Sequence, residues 1–165
     1  MIGVYFSGTG NTRYCVNYLL NDELSYSIEN PDVFDAIKMN NEIIFGYPIY
    51  YSNLPKIVRD FIINNSELWK DKKIFIVATM GLFSGDGAGC SARLFKKYGA
   101  KILGGIHIKM PDCIGDVKLL KKSFKENQKI IKNANYKMDI ASKKIKRGKY
   151  PKEGLNIFYH LAGLF

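Results

Sequence analysis

Four short runs in this chain, Met1 to Phe6, Glu42 to Tyr47, Lys73 to Thr79 and Lys101 to Met110, are rich in Val, Ile, Phe and Tyr and are apolar on successive rather than alternate residues. A strand with one wet face alternates. A strand buried on both faces does not, and the common way to bury both is a parallel sheet covered by helices on each side. Helical patterns fill the intervals: Thr12 to Leu20, Pro55 to Asn64, and Gly87 to Tyr98, where Ala92, Phe95 and Tyr98 recur at helical spacing. A weaker strand, Leu24 to Ile28, is bounded by Asn30 and Pro31. The pattern predicts an α/β, doubly wound five-stranded parallel sheet with helices on both faces, because parallel neighbours need crossovers and right-handed crossovers reach both sides.

With 165 residues, 47% of them apolar and 24% charged, the chain can close one core. The stretch 117–152 is different in kind: it carries thirteen lysines or arginines against Glu126 and Asp139, while the rest of the chain is nearly neutral. Within it Leu120, Phe124, Ile131, Ala134, Met138, Ala141 and Ile145 fall close to a 3.5-residue repeat. This predicts a basic amphipathic helix, or two helices broken near Asn133-Ala134-Asn135, with the apolar face on the sheet. Gly148 and Pro151 stop it, so the domain is expected over 1–147 and a C-terminal tail over 148–165. The apolar end of that tail, Leu155 to Phe165, reads as a truncated linker or docking segment. No apolar run approaches the roughly 20 residues of a membrane span, and Met1 opens directly on an apolar run without a basic leader, so the expected location is cytoplasmic. Cys15, Cys90 and Cys113 have no metal or cluster spacing and read as reduced structural thiols; no metal site is expected.

Directly after the first run comes Ser7-Gly8-Thr9-Gly10-Asn11-Thr12, leading into a helix. The glycines let the backbone turn and approach an anion. Ser7, Thr9 and Thr12 offer hydroxyls, Asn11 an amide, and the helix start its free N–H groups and positive dipole end. A phosphate fits there without lysine or arginine. The dipole contributes only about 0.3–2 kcal/mol, so several hydrogen bonds and the rest of the ligand must supply the affinity. The third glycine of a dinucleotide fingerprint is missing, as is the Gly-Lys-Ser/Thr of a Walker loop. The plainer alternative is a polar turn that only starts a helix. Tyr5-Phe6-Ser7-Gly8-Thr9-Gly10-Asn11-Thr12 resembles the phosphate loop of the flavodoxin family. That resemblance, over roughly residues 1–115, implies a 2-1-3-4-5 strand order and bound flavin mononucleotide (FMN).

In such a sheet the ligand lies beyond the carboxyl ends of the strands, so the loops after the third and fourth strands should complete the site. The first of these, Gly46 to Pro55, is stiffened by Pro48 and Pro55 and offers Tyr50 and Tyr51 as faces for a flat ring, with Ile49 and Asn53 beside them. The alternative is that both tyrosines pack on the following helix. The second, Thr79-Met80-Gly81-Leu82-Phe83-Ser84-Gly85-Asp86-Gly87, is glycine-rich; Leu82 or Phe83 would cover the other face of the ring. Asp86 reads first as the cap of the helix near Gly87. Thr79-Met80-Gly81 is similar to the corresponding flavodoxin loop, and Ser84-Gly85-Asp86-Gly87 resembles the version in flavodoxin domains fused to bacterial ferredoxin-type modules.

The resemblance implies an electron carrier that needs no acid–base residue. His107, inside a strand, and His160, alone in the tail, are assigned no catalytic role. The basic stretch would steer an acidic redox partner, such as a ferredoxin or an iron–sulfur domain. Two other readings stay open: an FMN-dependent NAD(P)H:quinone or small-molecule reductase, and a flavin-free module whose basic stretch binds nucleic acid or an anionic membrane.

Overall fold

The computed structural model describes residues 1–21, 23–50, 53–81, 85–112 and 122–155. Five parallel strands form one sheet: β1 (Ile2–Tyr5), β2 (Ser25–Ser27), β3 (Glu42–Pro48), β4 (Lys73–Met80) and β5 (Lys101–Lys109), in the order β2-β1-β3-β4-β5. The helices between and after them are α1 (Asn11–Leu20), α2 (Val33–Met39), α3 (Lys56–Asn64), α4 (Gly87–Lys97) and α5 (Phe124–Lys146).

The continuous apolar runs have the expected cause. In β4 every residue from Ile74 to Ala78 is fully buried, because helices cover both faces. One face holds Phe45, Tyr47, Ile76 and Ala78 beneath α2, α3 and α4; the other holds Ile44, Phe75, Val77 and Ile106 beneath α1 and α5. Trp69 anchors the first layer, with its ring centroid 4.9 Å from Phe95, 6.0 Å from Phe61 and 6.1 Å from Phe45, and its indole N–H donating to the Ile62 carbonyl at 2.9 Å.

α5 is a single helix across Asn133-Ala134-Asn135, so the two-helix alternative does not hold. Ala134, Met138 and Ala141 are buried against the sheet, and Asn135 and Asp139 accept the hydroxyls of Tyr14 and Tyr18 of α1, each at 2.9 Å. The helix starts at a capping box: Ser123 Oγ accepts the Glu126 amide and the Glu126 carboxylate accepts the Ser123 amide.

Past α5 the chain returns to β5. Gly105 donates to the Pro151 carbonyl at 2.8 Å and its carbonyl accepts the Glu153 amide at 2.9 Å, giving a short strap along the outer edge of the sheet. Gly104 and Gly105 permit this approach, since a Cβ on Gly104 would fall 2.8 Å from Tyr150 Cβ and onto the Pro151 carbonyl. His107 is 4% exposed and packs against Gly154, and burial pushes its imidazole below the usual range. The described part of the stretch set apart as a tail therefore lies on the domain; 156–165, with His160, fall outside the described residues. No described helix is long and apolar enough to cross a membrane.

Candidate functional site

Because β2 lies on one side of β1 and β3 on the other, successive crossovers diverge and leave a crevice at the carboxyl ends of β1 and β3. Two glycines bring α1 down onto it. A Cβ on Gly3 would stand 2.6 Å from Leu20 Cδ1 and Val16 Cγ1; one on Gly46 would overlap Val16 Cγ2 and stand 3.0 Å from Thr12 Cγ2. The start of α1 is thereby fixed over the crevice.

In the first loop Gly10 has φ +90°, a conformation that favours glycine, and it opens α1 with no side-chain cap. Gly8, Thr9 and Gly10 are exposed, and their amides donate to no group among the described residues. Ser7 Oγ accepts the Arg13 amide at 3.2 Å, which leaves its hydroxyl hydrogen to donate. Three successive free amides, that hydroxyl and an uncapped helix start suit a phosphate ester. Asn11 and Thr12 also make contacts within the protein. Asn11 Nδ2 donates to the Pro111 carbonyl at 2.8 Å, and Thr12, 1% exposed, lies with Oγ1 2.8 Å from Thr79 Oγ1. Their side chains tie the loop to its neighbours.

The second loop is held against the third. Pro48 pairs in register with Thr79 at the end of the β3–β4 ladder, and the Ile49 amide donates to the Thr79 carbonyl at 2.8 Å. Ile49 rests on Gly87, where a Cβ would come within 2.5 Å of its Cγ1. Tyr50 and Asn53 exchange both backbone hydrogen bonds, at 3.1 and 2.9 Å, and Asn53 Oδ1 accepts the Leu54 amide at 2.7 Å. The Tyr50 ring is 39% exposed, and its hydroxyl would be 3.9 Å from a Cβ on Gly8. So Tyr50 reaches across to the first loop. Tyr51 lies outside the described residues, as do Leu82 and Phe83.

In the third loop Thr79 is buried, Met80 and Gly81 are half-buried, and the Met80 carbonyl accepts the Met110 amide at 2.9 Å. Gly81 is thus the first residue beyond the ladder. Gly85 is buried with φ +47°. Asp86 occupies the N-cap position of α4, but its side chain makes no cap bond; it pairs with Arg93 and accepts the Cys90 thiol at 3.4 Å. The cap reading is therefore corrected: the carboxylate spans two turns of α4. Beneath it the buried Tyr47 hydroxyl donates to the Gly87 carbonyl at 2.6 Å, and burial raises its pKa. Burial pushes the Cys15 thiol up to about 12 and, with Asp86, raises that of Cys90; Cys113 lies outside the described residues.

Two site partners are missing from the sequence reading. Arg93 was findable, since a seven-residue step from Asp86 is two helical turns. The Pro111 carbonyl carried no signal, because a backbone acceptor one hundred residues from Asn11 has no residue type.

A family model described as a flavodoxin domain matches residues 2–103. No sequence among the curated proteins matches the chain significantly. Among solved structures, the two-electron reduced Megasphaera elsdenii flavodoxin is 25% identical with a TM-score of 0.58, covering 73% of this chain and 95% of its own. A flavodoxin from the domain Archaea is 17% identical (TM-score 0.54, 86% of this chain and 97% of that one). The Trp repressor binding protein of Bacillus subtilis is 15% identical (TM-score 0.58, 82% and 96%). These last two speak to the fold.

Proposed function

The chain belongs to the flavodoxin family, and from that premise we propose that it holds FMN across its three loops and works as an electron carrier. The observation that carries this reading is the row of exposed amides at Gly8, Thr9 and Gly10, unbonded among the described residues, in front of an uncapped α1, with the Tyr50 hydroxyl reaching Gly8. The three amides and the Ser7 hydroxyl would take the phosphate. Tyr50 and Tyr51 would lie against the ring on one side, with Pro48, Ile49 and Asn53 shaping their loop. Thr79 to Gly81 would run along the polar edge of the ring, and Leu82 or Phe83 would close the other side. Gly85 and Gly87 let that loop turn tightly, while Thr12, Asn11 and Asp86 support the loops from beneath. The bound flavin supplies electron uptake and release; the chain positions it and limits water at one face.

The test is flavin retention. Purified protein incubated with FMN and stripped of free ligand is expected to keep close to one equivalent by visible absorption. Tyr50→Ala should weaken binding by roughly 2- to 13-fold, the equivalent of losing about 0.5–1.5 kcal/mol of ring contact. A colourless protein would overturn the reading. Steady NAD(P)H consumption by the loaded protein would favour the reductase instead.

The partner we infer for this carrier is an acidic iron–sulfur protein or domain. Lys125, Lys129, Lys132, Lys143, Lys144, Lys146 and Arg147 all stand exposed on or just after α5. With such a ferredoxin as acceptor, the second-order electron-transfer rate should fall steeply between low and physiological ionic strength, where the screening length shrinks to about 8 Å. A rate indifferent to salt would exclude electrostatic steering by this helix.

A further inference from the structure

A cleft of about 420 Å³ lies between the end of β5 and the first half of α5, and among the described residues it touches the three-loop site at Met80. Its lining combines apolar groups with an excess of cations. Met80, Ile130 and the buried Ala134 give it an apolar wall, and Glu126, Ile130, Ala134 and Lys137 recur at steps of four and three, so one face of α5 forms that side. Around the mouth stand Lys109, Lys122 and Lys129, all exposed and none in an ion pair among the described residues.

The other two charges are already engaged. Lys137 donates to the His107 carbonyl at 2.8 Å and pairs with Glu153 at 2.6 Å. Glu126 serves the capping box, and its hydrogen bonds from Ser123 hold its carboxyl below the usual range. Glu126 stays ionised and feels the nearby Lys122, and Lys137 is offset by Glu153, so what the cavity keeps is an excess of cations, Lys109, Lys122 and Lys129 against the one carboxylate of Glu126. Like charges gathered around one cavity repel each other, and an anion removes that cost.

We propose that this cleft binds a small amphipathic organic anion: a flat apolar body bearing a carboxylate, sulfonate or phosphate. The cavity falls in the range that encloses small organic ligands, roughly 300–1,000 Å³. The apolar wall accounts for the body and the lysines for the charged group, so inorganic phosphate or a neutral aromatic satisfies only half of it. The cleft shares Met80 with the flavin loops, and its other described lining residues lie on β5, on α5 and just before α5.

The probe is 1-anilinonaphthalene-8-sulfonate, titrated calorimetrically into protein saturated with FMN. One equivalent is expected to bind, weakened about tenfold or more in the K109E/K129E double variant, whose two substitutions lie on exposed positions and whose folding is checked by its melting curve. Neutral N-phenyl-1-naphthylamine should bind markedly more weakly, and inorganic phosphate at equal concentration should not displace the probe. Amide chemical shifts should move at 107–109 and 129–137. Binding unchanged in K109E/K129E, equal binding of the neutral compound, displacement by phosphate, or shifts centred on 8–12 would each overturn the proposal. Flavin content is read on the same sample, so a protein that fails to keep FMN counts against the carrier while leaving the comparison between probe, variant and neutral analogue intact.

Discussion

Replacing Gly46 with alanine is expected to destabilise the protein by about 1–3 kcal/mol, the usual cost of an extra methyl in a filled core, and to weaken FMN binding about tenfold. The added Cβ would overlap Val16 Cγ2 and press on Thr12 Cγ2. Val16 is fully buried and stiff at χ1, so relief comes by lifting α1 from the sheet. That movement carries the Gly8 to Gly10 amides with it and strains the Thr12–Thr79 hydrogen bond. The measurement is a pair of urea unfolding curves together with FMN titrations. A second substitution makes it specific: Val16→Ala opens the space that the new methyl needs, so the double variant should be less destabilised than the two single losses added together. Strict additivity would show that the close approach of α1 is not what Gly46 protects.

Trp69→Ala should cost more stability, about 3–5 kcal/mol, and yet leave FMN affinity per folded molecule unchanged. Trp69 is fully buried among Phe45, Phe61 and Phe95, and its removal leaves a cavity on the face of the sheet away from α1 while orphaning the Ile62 carbonyl. None of these groups belongs to the three loops. Equilibrium unfolding and a flavin titration well below the variant's melting temperature separate the two quantities. A large fall in flavin affinity at full folding would mean that the two sides of the sheet are mechanically coupled. Gly46 and Trp69 thus make opposite predictions about the ratio of stability loss to binding loss.

The central strands were legible because burial on both faces leaves no polar alternation, as in Ile43 to Tyr47 and Ile74 to Ala78. α2 was not, because seven residues give barely two turns in which a period can show. β3 and β4 each run one residue past the apolar run, to Pro48 and Met80, which pair in the ladder, whereas β1, β2 and β5 stop short of theirs. At the site, Ser7 to Gly10 could be read directly, since glycine and hydroxyl residues after a strand have few other uses. The burial of Thr12 was legible in its position, since Thr12, Val16, Leu19 and Leu20 share the buried face of α1. For Asp86 the helical distance to Arg93 outweighed its place before the helix.

The strap from Tyr150 to Glu153 bears on how this molecule behaves among its own copies. A parallel sheet with strands this apolar is a hazard at its margins, where a row of unused amides can recruit another chain. On one margin β2 is only three residues long, Ser25 to Ser27, too short to template much. On the other the strap occupies the amide and carbonyl of Gly105, the Glu153 carboxylate takes the amide of His107, and the Lys137 ammonium takes its carbonyl. The middle of a nine-residue edge, at Gly105 and His107, is thereby withdrawn from pairing with another chain, so a segment with no part in the three-loop site bears on the colloidal behaviour of the domain.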